Sequence, residues 1–440
     1  MNKEKELNLI TGNPFRQLML LLFPLLICSF FQQIYALVNN IIVGRQLGTD
    51  ALAVINGSAA NLINIFYNFT NGLSVGAMIL VAQLSGENNM YRLEKCMKSA
   101  LVIHVIFSLF MTSLFCFLGK EILTILSVPN DILADTSAYI KLYAVGFMFY
   151  SLTMLIISMQ RGKGDLKQPT IELLLLYLLN ILMDLLFVRI LNLGLTGVSL
   201  SFITTYFLST VYLMIYLHKH YHVLSNKVSV DMSEVKIILY IGIPTSLASM
   251  FYDVANTYTQ TAINKLGNTA IAAIGLSFKI ENFFYAVMQS MSTAAVTLLA
   301  NNIGAKRKDR IKPILFAGFI ICYGLAISMS LFTYFGRNLI PHVFTDDISV
   351  IEICAQILVF ISPFYLIYPV LEMLLSLTRS IKKIIIPTVI TLIACLSRIV
   401  WIYFLPAQYS ILEAKFSYPL SWIVTSSLML VYCLVLYKNN

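Results

Sequence analysis

Four carboxylates stand inside long apolar runs of this 440-residue chain: Asp184, Asp253, Glu281 and Glu372. An ionisable group in hydrocarbon is costly, so an acid kept there holds a proton, a cation or a neighbouring helix. Asp184 lies in "NILMDLLFV" with Asn180 four residues earlier, which puts both on one face of a helix. An asparagine beside a carboxyl group can share its proton or add an oxygen to the shell of a bound cation. Asp253 opens a polar stripe that continues through Asn256 and Gln260, three and seven residues further on. Glu372 has Tyr365 and Tyr368 on its own face and Ser376 beyond it. Glu281 is followed by Tyr285 and Ser292 at helical spacing, with Lys279 near enough in sequence to neutralise it. Three acids in one half of a chain suit a small hard cation, or an organic cation lying against tyrosine faces. Uncharged ridges accompany them: Gln32 and Asn39 in the first apolar run, and Asn61, Asn64, Asn68 and Asn71 in the second. Such ridges line a wet cavity or bond helix to helix.

Other chemistries are missing from the pattern. There is no phosphate-binding loop, and His104 has no acid at catalytic spacing. His218, His220 and His222 follow the end of an apolar run beside a basic loop, which reads as a solvated interface. Seven cysteines are scattered without CxxC or His–Cys spacing, so neither a disulfide framework nor a zinc site is expected. The chain reads as a non-enzyme without a cofactor, and no loop is large enough to form a nucleotide domain.

The elements that must position these residues follow from composition. Hydrophobic residues make up 58% and charged residues 12%, with a mean hydropathy of +0.81. A soluble protein of this size could not cover its surface with so few charges, which excludes a soluble enzyme, a disordered chain and a nucleic-acid binder. Twelve apolar runs of spanning length lie near 17–43, 51–84, 97–118, 136–159, 170–190, 195–217, 236–264, 270–300, 314–336, 350–377, 384–405 and 417–437. They lack the alternation of a membrane barrel, so the class is an all-α integral membrane protein.

With the N-terminus inside, inner segments hold 21 basic residues, from Lys3, Lys5 and Arg16 through Lys227 to Lys438, against six outside: Arg45, Lys120, Arg189, Lys265, Arg337 and Lys415. That asymmetry is the positive-inside rule. It places both termini in the cytoplasm, makes Lys306–Lys312 a topology anchor and accounts for most of the formal charge of +9.

The chain also repeats itself. "LGTDALAVI" from Leu47 returns as "LGNTAIAAI" from Leu266, an offset of 219. "AQLSG…RL" from Ala82 returns as "ANNIG…RI" from Ala300, and Arg161 with Pro169 returns as Arg379 with Pro387, both at 218. Six spans precede the repeat and six follow, so the two lobes, 1–222 and 223–440, share one orientation and are related by a pseudo-two-fold axis along the membrane normal. That layout, with a midplane cavity, is one of alternating access.

Read together, "QQIYALVNNIIVGRQLGTDALAV", "RGKGDLKQP", "NILMDLLF", "LGNTAIAAIG", "LANNIGAKRKDRI" and "LTRSIKKIIIP" resemble the multidrug and toxic compound extrusion (MATE) family from about Pro14 to the C-terminus. The resemblance implies export of cationic, often aromatic drugs and dyes in exchange for Na⁺ or H⁺, from a cell membrane. It implies a coupling site at Asn180 and Asp184, a possible Na⁺ site, and a carboxylate set in the second lobe that includes Asp253 and Glu372. Relatives often carry an aspartate where this chain has Asn39, a departure that removes one protonatable group. Glu281, Asn256, Gln260 and Tyr368 complete the expected cargo or cation site. The expected partners are small cationic molecules and the bilayer, not nucleic acid, with a monomer as the working unit. The alternative is a lipid-linked saccharide flippase of the same superfamily. It is disfavoured because only Lys141, Lys279 and Arg398 are basic within or near the spans, and phosphate would require more.

Overall fold

The computed structural model describes residues 8–125, 128, 130–223 and 228–438, and every regular element among them is a helix. Lys3, Lys5 and Lys227, counted above among the inner charges, lie outside the described residues. The first half contains α1 (Pro14–Ala53), α2 (Ala59–Gly86), α3 (Met90–Ile125), α4 (Asn130–Val145), α5 (Phe147–Lys163), α6 (Lys167–Asp184) and α7 (Gly194–His220). The second contains α8 (Met232–Asn264), α9 (Asn268–Gly304), α10 (Ile311–Gly336), α11 (Leu339–His342), α12 (Ile348–Ile361), α13 (Tyr368–Ser380), α14 (Ile385–Tyr403), α15 (Ile411–Lys415) and α16 (Ser417–Lys438). Eleven helices among the described residues are long and apolar enough to cross a bilayer, and α4 with α5, bent by 47°, makes a twelfth crossing. The all-helical, twelve-span class read from the sequence is the class observed.

The chain divides into two compact units. One is centred on Ile27–Ser246 and takes in Gly304–Lys306; the other contains Thr11–Leu26, Leu247–Ile303 and the chain from Arg307. The divisions therefore fall inside α1, after Leu26, and inside α8, after Ser246, positions 220 residues apart. Each lies two residues beyond a mid-helix proline, Pro24 or Pro244. The internal repeat is visible in the backbone as well. Positive φ occurs at Gly48 and Gly267, at Asn88 and Lys306, and at Gly164 and Lys382, three pairs separated by 219, 218 and 218 residues. The left-handed turns that end corresponding helices have been kept in both halves, even where lysine replaces a residue better suited to that backbone.

In the first unit Gly72 and Gly76 of α2, one turn apart, meet Gly242 of α8. A Cβ on Gly76 would lie 2.7 Å from the Ile238 carbonyl, so the backbones pack as only small residues permit. The outer faces of the crossings are apolar: α3 exposes Ile106, Leu109, Phe110 and Phe117, while His104 and Ser108 are buried among its inward apolar residues. His104 Nδ1 lies 2.8 Å from the Ser151 hydroxyl, which gives this isolated histidine a structural partner.

Candidate functional site

Three helices of the first unit each bring a polar pair spaced four residues apart, and the pairs meet rung on rung. From α1 come Tyr35 and Asn39, from α6 Asn180 and Asp184, and from α7 Ser201 and Thr205. In one rung the Tyr35 hydroxyl donates to Asn180 Oδ1 at 2.8 Å, and Asn180 Nδ2 donates to Thr205 Oγ1 at 3.3 Å. In the other, Asn39 Nδ2 donates to Asp184 Oδ2 at 2.8 Å, and the Ser201 side chain stands beside the same carboxyl group. Asn180 and Asp184 are buried, at 2% and 1% exposure. Both therefore face the inside of their bundle and not its outer surface.

The local backbone explains how the rungs form. After Asp184, α6 widens into a π-helical turn over Leu185–Ile190. Leu193 N–H then donates back to the Phe187 carbonyl at 3.0 Å. Gly197 lies against that same carbonyl, where a Cβ would be 2.9 Å from its oxygen. This close approach sets α7 so that Ser201 and Thr205, four and eight residues after Gly197, meet Asp184 and Asn180. π-turns recur at functional sites because they re-aim side chains without breaking a helix. Beside the rungs is a cavity of about 240 Å³, lined among others by Tyr35, Asn39, Tyr139, Tyr143, Asn180 and Phe202. It has room for several waters at ~30 Å³ each.

The groups gathered here are a carboxylate, two amides and three hydroxyls, with oxygen as their ligand atom. That set fits a hard monovalent cation or a proton and no soft metal. Among the described residues no group of three His, Cys, Asp or Glu side chains converges on a point. Tyr35, Ser201 and Thr205 were not singled out from sequence. Their shared signal, polar residues four apart in otherwise apolar helices, was present and unused.

In the second unit Glu372, 6% exposed, lies beside Ser292 and Tyr368. Ser292 Oγ is 2.9 Å from Ser376 Oγ, and Ser376 donates to the Glu372 backbone carbonyl at 2.7 Å. Tyr368 packs edge-on against Phe284 and Trp422, with centroids 5.3 and 5.5 Å away, while Tyr365 stacks on Phe284 at 3.9 Å. Glu281 is buried and salt-bridged to Lys415 at 2.7 Å. Lys415 is thus not a free charge of an outer loop, and the neighbour that neutralises Glu281 is not Lys279, whose ammonium lies 6.0 Å over the Phe344 ring. Lys279 is two positions from Glu281, a spacing that does not bring side chains together on a helix; the fold supplies Lys415 from the α14–α16 connection instead. Asp253 and Asn256 are exposed at the surface of this unit, and half-buried Gln260 donates to Asn264 at 2.9 Å. The structure therefore separates the Asp253 stripe from the two buried glutamates by environment. Of the asparagine ridge on α2, Asn64 and Asn71 are exposed, whereas the side chain of Asn61 lies outside those described.

Twelve apolar crossings, with charged and hydroxyl side chains buried inside both bundles, define a polytopic membrane protein. The MatE family model matches residues 24–186 and 244–404, one stretch in each half of the repeat, and the chain belongs to that family. It is 25% identical over 432 residues to the probable multidrug resistance protein YoeA of Bacillus subtilis, covering 95% of this chain and 92% of that one. It is 23% identical over 363 residues to the multidrug export protein MepA of Staphylococcus aureus, covering 81% and 79%. A solved mutant of the Vibrio cholerae MATE transporter VcmN superposes with a TM-score of 0.88 at 17% identity, over 97% of this chain and 98% of that one.

Proposed function

We propose that the protein is a cation-coupled multidrug antiporter that exports organic, often cationic and aromatic compounds in exchange for Na⁺ or H⁺. The observation that carries this reading is the pair of rungs around Asp184. A buried carboxylate with amide and hydroxyl neighbours is neutralised either by a proton or by a cation, and each neutralisation changes the energy of keeping the bundle closed around it. Binding of the ion then favours one conformation over another by its differential affinity, which is all that coupling requires. Asn180 contributes its amide oxygen and Asn39 orients the carboxylate. In the second lobe cargo or cation is taken in two places, the buried Glu281, Glu372 and Tyr368 and the exposed stripe of Asp253, Asn256 and Gln260, with carboxylates for charge and tyrosine faces for aromatic cargo. The lobes are assigned as 1–222 and 223–440, the working unit as a monomer in the cell membrane, and both termini as cytoplasmic. The names of YoeA and MepA, a resistance protein and an export protein, support the drug-export part of the reading.

The decisive experiment is ethidium efflux from proteoliposomes under separately imposed Na⁺ and H⁺ gradients. Efflux driven by one gradient supports the proposal and identifies the ion. Efflux that ignores both refutes coupling, and absence of efflux under either refutes the cargo class.

A further inference from the structure

The second unit contains a cation site that is already filled, by the protein itself. Lys415 ends the short helix α15, which a capping box between Ser410 and Glu413 holds in place while the Trp401 indole N–H donates to the Glu413 carbonyl at 2.8 Å. The Lys415 ammonium is 2.7 Å from Glu281 Oε1, 3.8 Å from the centroid of Phe278 and 4.6 Å from that of Tyr418. Lysine and glutamate are both 0% exposed. Among the described residues no hydrogen-bond acceptor other than the glutamate meets the ammonium, and two ring faces border it. A carboxylate with two aromatic faces is how proteins recognise organic ammonium ions.

A lysine that served only to stabilise would be an expensive choice here. Desolvating both members of a buried ion pair offsets most of their attraction, and an apolar pair of equal volume does as well or better. The charge balance points the same way. Arg398, 1% exposed, lies 3.9 Å over the Tyr418 ring and donates to the Thr259 hydroxyl at 3.4 Å, so Tyr418 meets two cations beside a single carboxylate. The box has no spare negative charge and holds one ammonium at a time.

We propose that Phe278, Glu281 and Tyr418 form a receptor for primary alkylammonium ions, which Lys415 occupies as a tethered ligand and which a free alkylammonium takes when Lys415 is withdrawn. A cationic ligand therefore enters by exchange with Lys415 and not in addition to it. The inference goes beyond antiport and does not rest on coupling at Asp184, because binding to the purified chain tests it without any transport.

The test is Lys415→Ala in the full-length chain, purified in detergent, with n-propylammonium as the probe. That ion replaces the three methylenes and the ammonium that the substitution removes. The variant should unfold at a lower temperature than the wild type, since Glu281 is left buried without a partner. n-Propylammonium at millimolar concentration should raise its Tm saturably by several degrees, whereas KCl at equal ionic strength should not. The wild type, whose box is full, and the Glu281→Gln/Lys415→Ala double variant, whose box has no charge, should not respond. If Lys415→Ala folds too poorly to purify, purification in n-propylammonium should recover monodisperse protein. Failure of that recovery overturns the proposal, as does a folded variant that ignores the probe or a double variant that responds equally.

Discussion

Exchanging the residues at 39 and 184 separates charge from shape at the first-lobe site. Asn39 and Asp184 share one hydrogen bond of 2.8 Å, so Asn39→Asp combined with Asp184→Asn keeps an amide donating to a carboxylate and both side-chain sizes. Only the position of the charge changes, by about one hydrogen-bond length. Asp184→Asn alone keeps an amide-to-amide bond, weaker than the charged one by ~1 kcal/mol, so the variant should fold and reach the membrane. What it loses is the attraction between carboxylate and cation. At an effective dielectric of ~20, a monovalent ion ~3 Å from the carboxylate is held by ~5.5 kcal/mol, worth roughly four powers of ten in affinity. Gradient-driven export should vanish. In the exchanged variant the same ion, still beside Asn180, is ~6 Å from the charge and is held by ~2.8 kcal/mol, so about half of the lost free energy returns. Ethidium efflux from proteoliposomes, titrated with Na⁺ and with pH, should then show coupling restored at a half-saturating concentration roughly a hundredfold above the native one. If Asp184→Asn exports normally, the coupling acid is elsewhere, and Asp253, Glu281 and Glu372 inherit the assignment. A double variant that is abundant, folded and as inactive as the single one would refute the idea that charge near this hydrogen bond is what matters.

Three further outcomes are expected. Glu372→Gln and Asp253→Asn should each weaken export of monovalent organic cations at unchanged membrane abundance, measured by ethidium accumulation in cells; normal accumulation in both would make these acids structural. Tyr35→Phe and Thr205→Val each remove a hydrogen bond from Asn180, and at ~1 kcal/mol apiece should raise the half-saturating ion concentration about fivefold with maximal efflux retained. Gly197→Ala places a methyl 2.9 Å from the Phe187 carbonyl and should cost ~1–3 kcal/mol, read as a lower Tm in detergent together with weakened coupling, because the same contact aims Ser201 at Asp184.

The sequence by itself determined the class of the protein, the number of crossings and the two-fold repeat, because these are written in local properties. Hydropathy over about 20 residues is enough to specify a span, whatever it later packs against. The repeat needs only self-similarity, and the paired left-handed turns at Asn88 and Lys306 show how closely the backbone follows it. Asn180 with Asp184 was legible for the same reason: a spacing of four fixes a shared helix face before any partner is known. The facing residues carry the same spacing of four, but that they meet this pair was not legible. Tyr35 comes from a helix 145 residues away and Ser201 and Thr205 from the next helix in the chain, and their meeting depends on how each helix is rotated about its own axis. In lipid that rotation is not set by hiding apolar surface, since lipid tails accept it on every side; close approach at small residues and hydrogen bonds between helices decide it. Gly197 against the Phe187 carbonyl is one such contact. The burial of Lys415 was equally beyond the sequence, where it counted as one more basic residue outside. Only the packing of α15 carries its ammonium to Glu281, and only there does a charge 134 positions away in the chain become the nearest one.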